Sequence, residues 1–227
     1  VYVGANWELA LVRDGEGNQQ AGVAATPLEI APDSHFQIGH YPLGEDAQNV
    51  AGLLLSQDGT EAAVGLATLN ALNQPDETTL STIDAADWLS AHSAGRSVAV
   101  FGRFPFIDDE VRPYARQVWV FEQSPHADEY SAVDMATILP QAELVAITGS
   151  SILNHSIDQI LLHTAPDSTI VLMGPSTPLT AKLFTSGITA LFGVRVADVQ
   201  QAVVSVIAGD GFQKMRGLQR VSLFKPF

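Results

Sequence analysis

The sequence predicts an α/β protein: an open parallel sheet with helices on both faces, preceded by a small α+β unit. Three observations predict it. From residue 84 onward, short apolar runs rich in β-branched residues alternate with helix-length segments, as in a parallel sheet covered on both sides. Four of the five central runs lead directly into glycine, at Gly102, Gly149, Gly174 and Gly193. Ligands of such sheets sit beyond the carboxyl ends of the strands, where a residue without a side chain lets them approach the backbone. Before residue 80 the rhythm differs, with two strand-like runs and then two helices.

Taken in order, residues 7–14 read as a strand. Gly15-Glu16-Gly17-Asn18 supplies a turn, and 19–26 returns as the second strand of a hairpin that Pro27 and the Pro/Gly-rich stretch 31–44 end. Helices follow at 47–56 and 60–72, parted by Asp58-Gly59; the second is apolar almost all round and so is expected to be buried. Residues 73–79 read as a linker, which divides the chain into a small unit, 1–80, and a large one, 81–227. In the large unit, strands are expected at 97–101, 117–121, 144–148, 169–173 and 189–192. Helical stretches are expected near 86–95, 109–116, 133–139, 156–164, 179–186 and 198–208. A last strand at 217–224 alternates polar and apolar residues, which suits a sheet edge.

Composition excludes several classes of function. The chain carries 25 Asp plus Glu against 11 Lys plus Arg, a net charge of −14, and no basic cluster with which to neutralise phosphates, so no nucleic-acid partner is expected. No uninterrupted apolar run reaches membrane-spanning length, so no membrane partner is expected. Val1 to Glu8 lacks the pattern of a signal peptide, which leaves a soluble, cytoplasmic protein as the expectation. There are no cysteines, so any metal must be held by His, Asp, Glu or backbone oxygen. No such set shows ligand spacing: Asp108-Asp109-Glu110 complements a helix start, His126, Asp128 and Glu129 share a loop without diagnostic spacing, and His35 and His40 are equally uninformative. No metal site is therefore expected.

Candidate binding residues lie at the strand ends. In Gly174-Pro175-Ser176-Thr177-Pro178, either hydroxyl could cap a following helix, and free N–H groups there would suit an anion. Thr148-Gly149-Ser150-Ser151 leads to Asn154 and His155; without a Gly-x-Ser-x-Gly elbow this reads as a binding loop rather than a nucleophile. Gly102-Arg103-Phe104-Pro105 ends the first strand of the large unit without a dinucleotide fingerprint. Glu122 ends the next, where an acid could accept from ribose hydroxyls. Arg195 ends the fifth and could offset an anionic ligand, or else pair with an acid such as Asp198.

The runs 147–158 and 171–179, with Leu183-Phe184 and 192–196, resemble the prokaryotic putative heavy-metal chelation family. The runs 22–27 and 65–72 resemble the small domain that precedes it. The resemblance implies an enolase N-terminal-like domain followed by a Rossmann-like domain, with a site between them. It also implies a role in making or binding flavin-, pterin- or siderophore-like chelators. Family members commonly carry Asn-Gly-Thr where this chain has Asn154-His155-Ser156.

The expected function is thus binding, with condensation or hydrolysis as the chemistry, of a small anionic or heterocyclic metabolite. Ser150, Ser151, Asn154, Ser176 and Thr177 would hold it, and Asn70, His155 or Arg195 would assist chemistry. A non-catalytic metal-chelate binder and a nucleoside-cofactor transferase using Glu122 are the alternatives. Thr26 and Asn70 of the small unit are expected to face the crevice, because a buried amide on an apolar helix needs a partner. No cofactor is named by the sequence, and a homodimer is left open.

Overall fold

The structure, a computed structural model, describes residues 1–27 and 44–226; most of the Pro/Gly-rich stretch, with His35 and His40, lies outside them. The small unit opens with strands β1 (Tyr2–Val3), β2 (Trp7–Arg13) and β3 (Gln19–Ala25), an antiparallel sheet in the order β1-β2-β3. The turn between β2 and β3 is held by the Asp14 carboxylate, which accepts from the Glu16 and Asn18 N–H groups. β1 was not expected from the sequence, since a two-residue strand carries no periodicity. Helix α1 (Ala47–Ala51) is capped by Asp46, and α2 (Gly59–Leu72) by Asp58, whose side chain accepts from the Thr60 and Glu61 N–H groups. Helix α2 lies directly on β3: a Cβ added at Gly22 would come within 2.2 Å of the Ala71 nitrogen and 2.3 Å of the Ala67 oxygen. Only a glycine lets these two backbones touch.

The large unit contains α3 (Ala85–Ser93), β4 (Ser97–Phe101), β5 (Gln117–Phe121), α4 (Met135–Ile138), β6 (Leu144–Thr148), α5 (Ile157–His163), β7 (Thr169–Met173), β8 (Ala190–Val196), α6 (Val199–Ile207) and β9 (Leu218–Phe224). Its six-stranded sheet runs β5-β4-β6-β7-β8-β9, parallel except for β9. Strand alternation sends Ala99, Phe101, Val145, Ile147 and Leu172 to one core, and Val98, Val100, Leu144, Ala146, Val171 and Met173 to the other. This is the α/β architecture expected, and β4 to β7 have the expected limits.

Three elements differ. β8 runs past Gly193 to Val196 because β9 pairs with it along its whole length, Ala190↔Phe224 to Val196↔Leu218. The helix expected at 109–116 is a single π turn, Ile107–Val111, cut short before Pro113, which has no N–H to continue it. The helix expected at 179–186 is a 3-10 turn, Ala181–Ser186, ended by left-handed Gly187. Residues 176–179 are buried in the body of the protein instead of starting that helix.

The small sheet is covered on both sides. Ala10 and Ala24 pack on Ala62, Ala63, Leu66 and Ala67 of α2, with Leu153 of the large unit. Trp7, Leu9, Ala21 and Val23 pack on Ala202 and Val206 of α6, beside Val194 and Val196 of β8. The two units therefore share a core. β4 has β5 on one side and β6 on the other, so the connection reverses there and opens a crevice at their carboxyl ends.

Candidate functional site

Gly102 and Gly174 both hold left-handed backbone, φ 105° and 109°. A Cβ at Gly102 would lie 3.2 Å from both the Phe104 ring and Thr148 Cβ, whereas one at Gly174 would meet almost nothing. Gly149 serves packing instead: a Cβ there would come within 2.6 Å of the Thr177 nitrogen and 2.8 Å of its Oγ1.

The 174–178 loop forms the seam between the units. Ser176 Oγ accepts from the Ala25 N–H at 2.9 Å. Asn70 Nδ2 donates to the Val23 carbonyl at 2.9 Å and to the Ser176 carbonyl at 3.2 Å, so this amide ties α2, β3 and the loop together. Ser176 and Thr177 are buried and no helix starts at Pro178, so the anion cradle expected there has no helix N-terminus to build it. Among the described residues, Asn70 Oδ1, Ser151 Oγ and Thr177 Oγ1 are buried without a hydrogen-bond partner.

Beside this seam lies an open cavity of about 560 Å³, within the range of small-molecule sites. The small unit contributes Thr26 and Pro27 from the end of β3, and Ser56 and Gln57 from the turn before α2. The large unit contributes Gln123 after β5, and Ser150, Asn154 and His155 after β6. Trp7 and Phe212 form an aromatic wall, their ring centroids 5.9 Å apart and tilted by 51°. Thr26 Oγ1 donates to the Gly4 carbonyl, and Asn154 Oδ1 accepts from both the N–H and the hydroxyl of Ser156. The Thr148 hydroxyl accepts from the Ser150 N–H at 3.4 Å. Among the described residues, no Lys, Arg, Asp or Glu lines this cavity.

A second cavity, about 430 Å³, shares Phe212 with the first. Phe104, Pro105, Gly174 and Pro175 line it, together with Phe192 and the acidic start of α3. Arg220 stands at its edge, bonded to Asp84 at 2.9 Å and 5.2 Å from the Phe212 ring centroid. The strand-end residues expected to form one crevice thus divide between two cavities with a common wall.

The two arginines are placed elsewhere. Arg195 lies within β8 and bonds to Glu77 of the linker and to Gln219 of β9; it pairs with an acid, as its alternative reading had it, but the acid is Glu77 and not Asp198. The longer strand carries it away from the loops. Arg103 makes a two-pronged bond to Glu129, 2.8 and 2.6 Å, and donates to the Ser124 carbonyl. That pairing, reinforced by the His126 N–H, pulls the Glu129 carboxyl down to about 2. Glu122 donates its N–H to the Tyr130 carbonyl and is not among the residues lining either cavity. Among the described residues, no three His, Asp or Glu side chains are grouped to hold a metal.

Trp7, Ser56, Gln57, Gln123 and Phe212 were not foreseen as wall residues. Only the turn signal at Asp58-Gly59, beside Ser56 and Gln57, and the end of β5, beside Gln123, pointed near three of them.

Two family models described as putative heavy-metal chelation match the chain, DUF364 over residues 84–225 and DUF4213 over residues 1–73. The chain belongs to the DUF364 family. An uncharacterised protein of Methanocaldococcus jannaschii is 24% identical over 197 residues, covering 84% of this chain and 76% of that protein. Two crystal structures of DUF364 proteins share the fold, each with a TM-score of 0.81. The one from Desulfitobacterium hafniense is 25% identical, covering 98% of this chain and 90% of that one. The one from Pyrococcus horikoshii is 23% identical, covering 97% and 90%. The DUF364 region carries the open sheet and its loops; the DUF4213 region carries the hairpin and α2. Thr26 and Asn70 fall in the second, and Ser150, Asn154 and His155 in the first.

Proposed function

We propose that this DUF364 protein binds a small, uncharged, hydrogen-bonding heterocycle of the pterin or flavin type in the cavity between its two units, as a chelator or as its metal chelate. One observation carries the reading. Thr26 from the small unit and Ser150, Asn154 and His155 from the large one line the same cavity, with Trp7 and Phe212 beside them and, among the described residues, no Lys, Arg, Asp or Glu. Neutral hydrogen-bonding groups around an aromatic wall suit a flat, polar ring system. An anionic ligand loses support, because Arg103 and Arg195 are already paired with Glu129 and Glu77. The metal arrives on the chelator, since the chain has no thiol and no His/carboxylate group of three among the described residues. The adjoining cavity gives room for a second reactant, as a condensation requires.

The test uses lumazine, a pteridine-dione, titrated into the protein while tryptophan fluorescence is read. Quenching with a micromolar Kd is expected, with Trp7→Phe removing most of the signal and Ser150→Ala weakening affinity. No binding at millimolar lumazine would refute the reading.

A further inference from the structure

We infer that His155 reads the ligand of this cavity, presenting Nδ1 as a hydrogen-bond acceptor to a ring N–H flanked by a carbonyl, the lactam or imide edge of a heterocycle. The inference rests on the cavity being a ligand site and adds which edge of the ligand it selects.

His155 has φ 55°, and every other residue with positive φ among those described is glycine. An L side chain in left-handed backbone is strained, and such a residue persists only where its surroundings impose the conformation. Here the neighbours do so. Asn154 Oδ1 takes the N–H and hydroxyl of Ser156, the His155 N–H donates to the Ile152 carbonyl, and the Ser156 N–H donates to the Ser151 carbonyl. The turn needs no imidazole, since glycine would make the same backbone without strain.

What the imidazole adds is a contact across the cavity mouth. His155 Nε2 lies 3.3 Å from the carbonyl oxygen of Ser56, a residue 99 positions away in the small unit. A carbonyl can only accept, so Nε2 carries the hydrogen, and a neutral ring then keeps Nδ1 bare as an acceptor. Ser56 is itself fixed, its hydroxyl donating to Glu61 at 2.6 Å and accepting from the Asp58 N–H. The ring is therefore oriented from the small unit while its backbone belongs to the large one. Asn154 spends its oxygen on Ser156, and its NH₂ has no partner among the described residues. An acceptor at His155 beside a donor at Asn154 complements an N–H next to a C=O.

Two measurements test this. Nitrogen NMR of the intact protein should find His155 as the Nε2–H tautomer; a proton on Nδ1 in the neutral ring overturns the inference. Binding of lumazine is then compared with that of 1,3-dimethyllumazine, which keeps the carbonyls but lacks the ring N–H. The wild type should prefer lumazine by roughly tenfold, the worth of one good hydrogen bond. His155→Asn, which tolerates left-handed backbone, should keep or raise the Tm and lose the preference. Equal discrimination in that variant overturns the role of His155 while leaving the cavity reading intact. A wild type that binds neither compound overturns both.

Discussion

Glu8 offers a measurable consequence of how the small unit is built. It lies on β2 opposite Ala24, on the face that packs against α2, and is fully buried, with neither carboxylate oxygen hydrogen-bonded among the described residues. Burial, and secondarily the Asp58 charge, push its carboxyl up to about 9 from an ordinary value of 4.5. The folded protein therefore holds a proton that the unfolded chain releases above 4.5. Folding stability from this group is complete below pH 4.5, falls steadily as pH rises, and levels off above about 9. At about 1.4 kcal/mol per pH unit, the loss by pH 7 is at most about 3.5 kcal/mol. Against a total of about 5–15 kcal/mol for a typical domain, that is large. Glu8→Gln removes the ionisation at nearly constant shape. Urea unfolding at pH 5, 7 and 8.5 should show the wild type losing stability relative to the variant at each step, whatever the offset between them. Parallel curves for the two proteins would show that Glu8 is ionised in the fold and would refute the reasoning.

Three further outcomes follow from the same geometry. Asn70→Ala leaves the Val23 and Ser176 carbonyls without their amide donor and should cost about 2 kcal/mol in urea unfolding; a change below half of that would mean the seam does not depend on this side chain. Gly22→Ala forces the α2 and β3 backbones apart and should lower the Tm far more than Gly15→Ala, whose added methyl meets nothing; equal Tm values for the two variants would contradict the close crossing. Arg103→Ala and Arg195→Ala should leave lumazine affinity within about twofold, since removing a group that does not touch the ligand costs little binding energy; a tenfold loss in either would put that arginine back in the site.

The strands of the large sheet were legible because a fully buried parallel strand writes itself locally, as a short β-branched run whose every residue must be apolar. Val98 to Phe101 and Leu144 to Ile147 are such runs, and the glycines after them mark where the chain leaves the sheet. The Asp58-Gly59 break before α2 and the turn after Asp14 are local in the same sense, each held by hydrogen bonds within four residues. The 174–178 loop shows where locality ends. Its Ser-Thr-Pro run reads as a helix cap, yet Ser176 receives the Ala25 N–H from 151 positions away, and burying that segment outweighs starting a helix. Arg195 reads as a strand-end cation until the pairing of β9 extends β8 past it and Glu77 claims it. The cavity draws on residues 7, 26, 56, 123, 155 and 212, which no periodicity connects. They meet because the small sheet, too thin to bury both of its faces alone, takes α2 as one cover and α6 as the other, and that docking places its strand end over the loops of the large sheet.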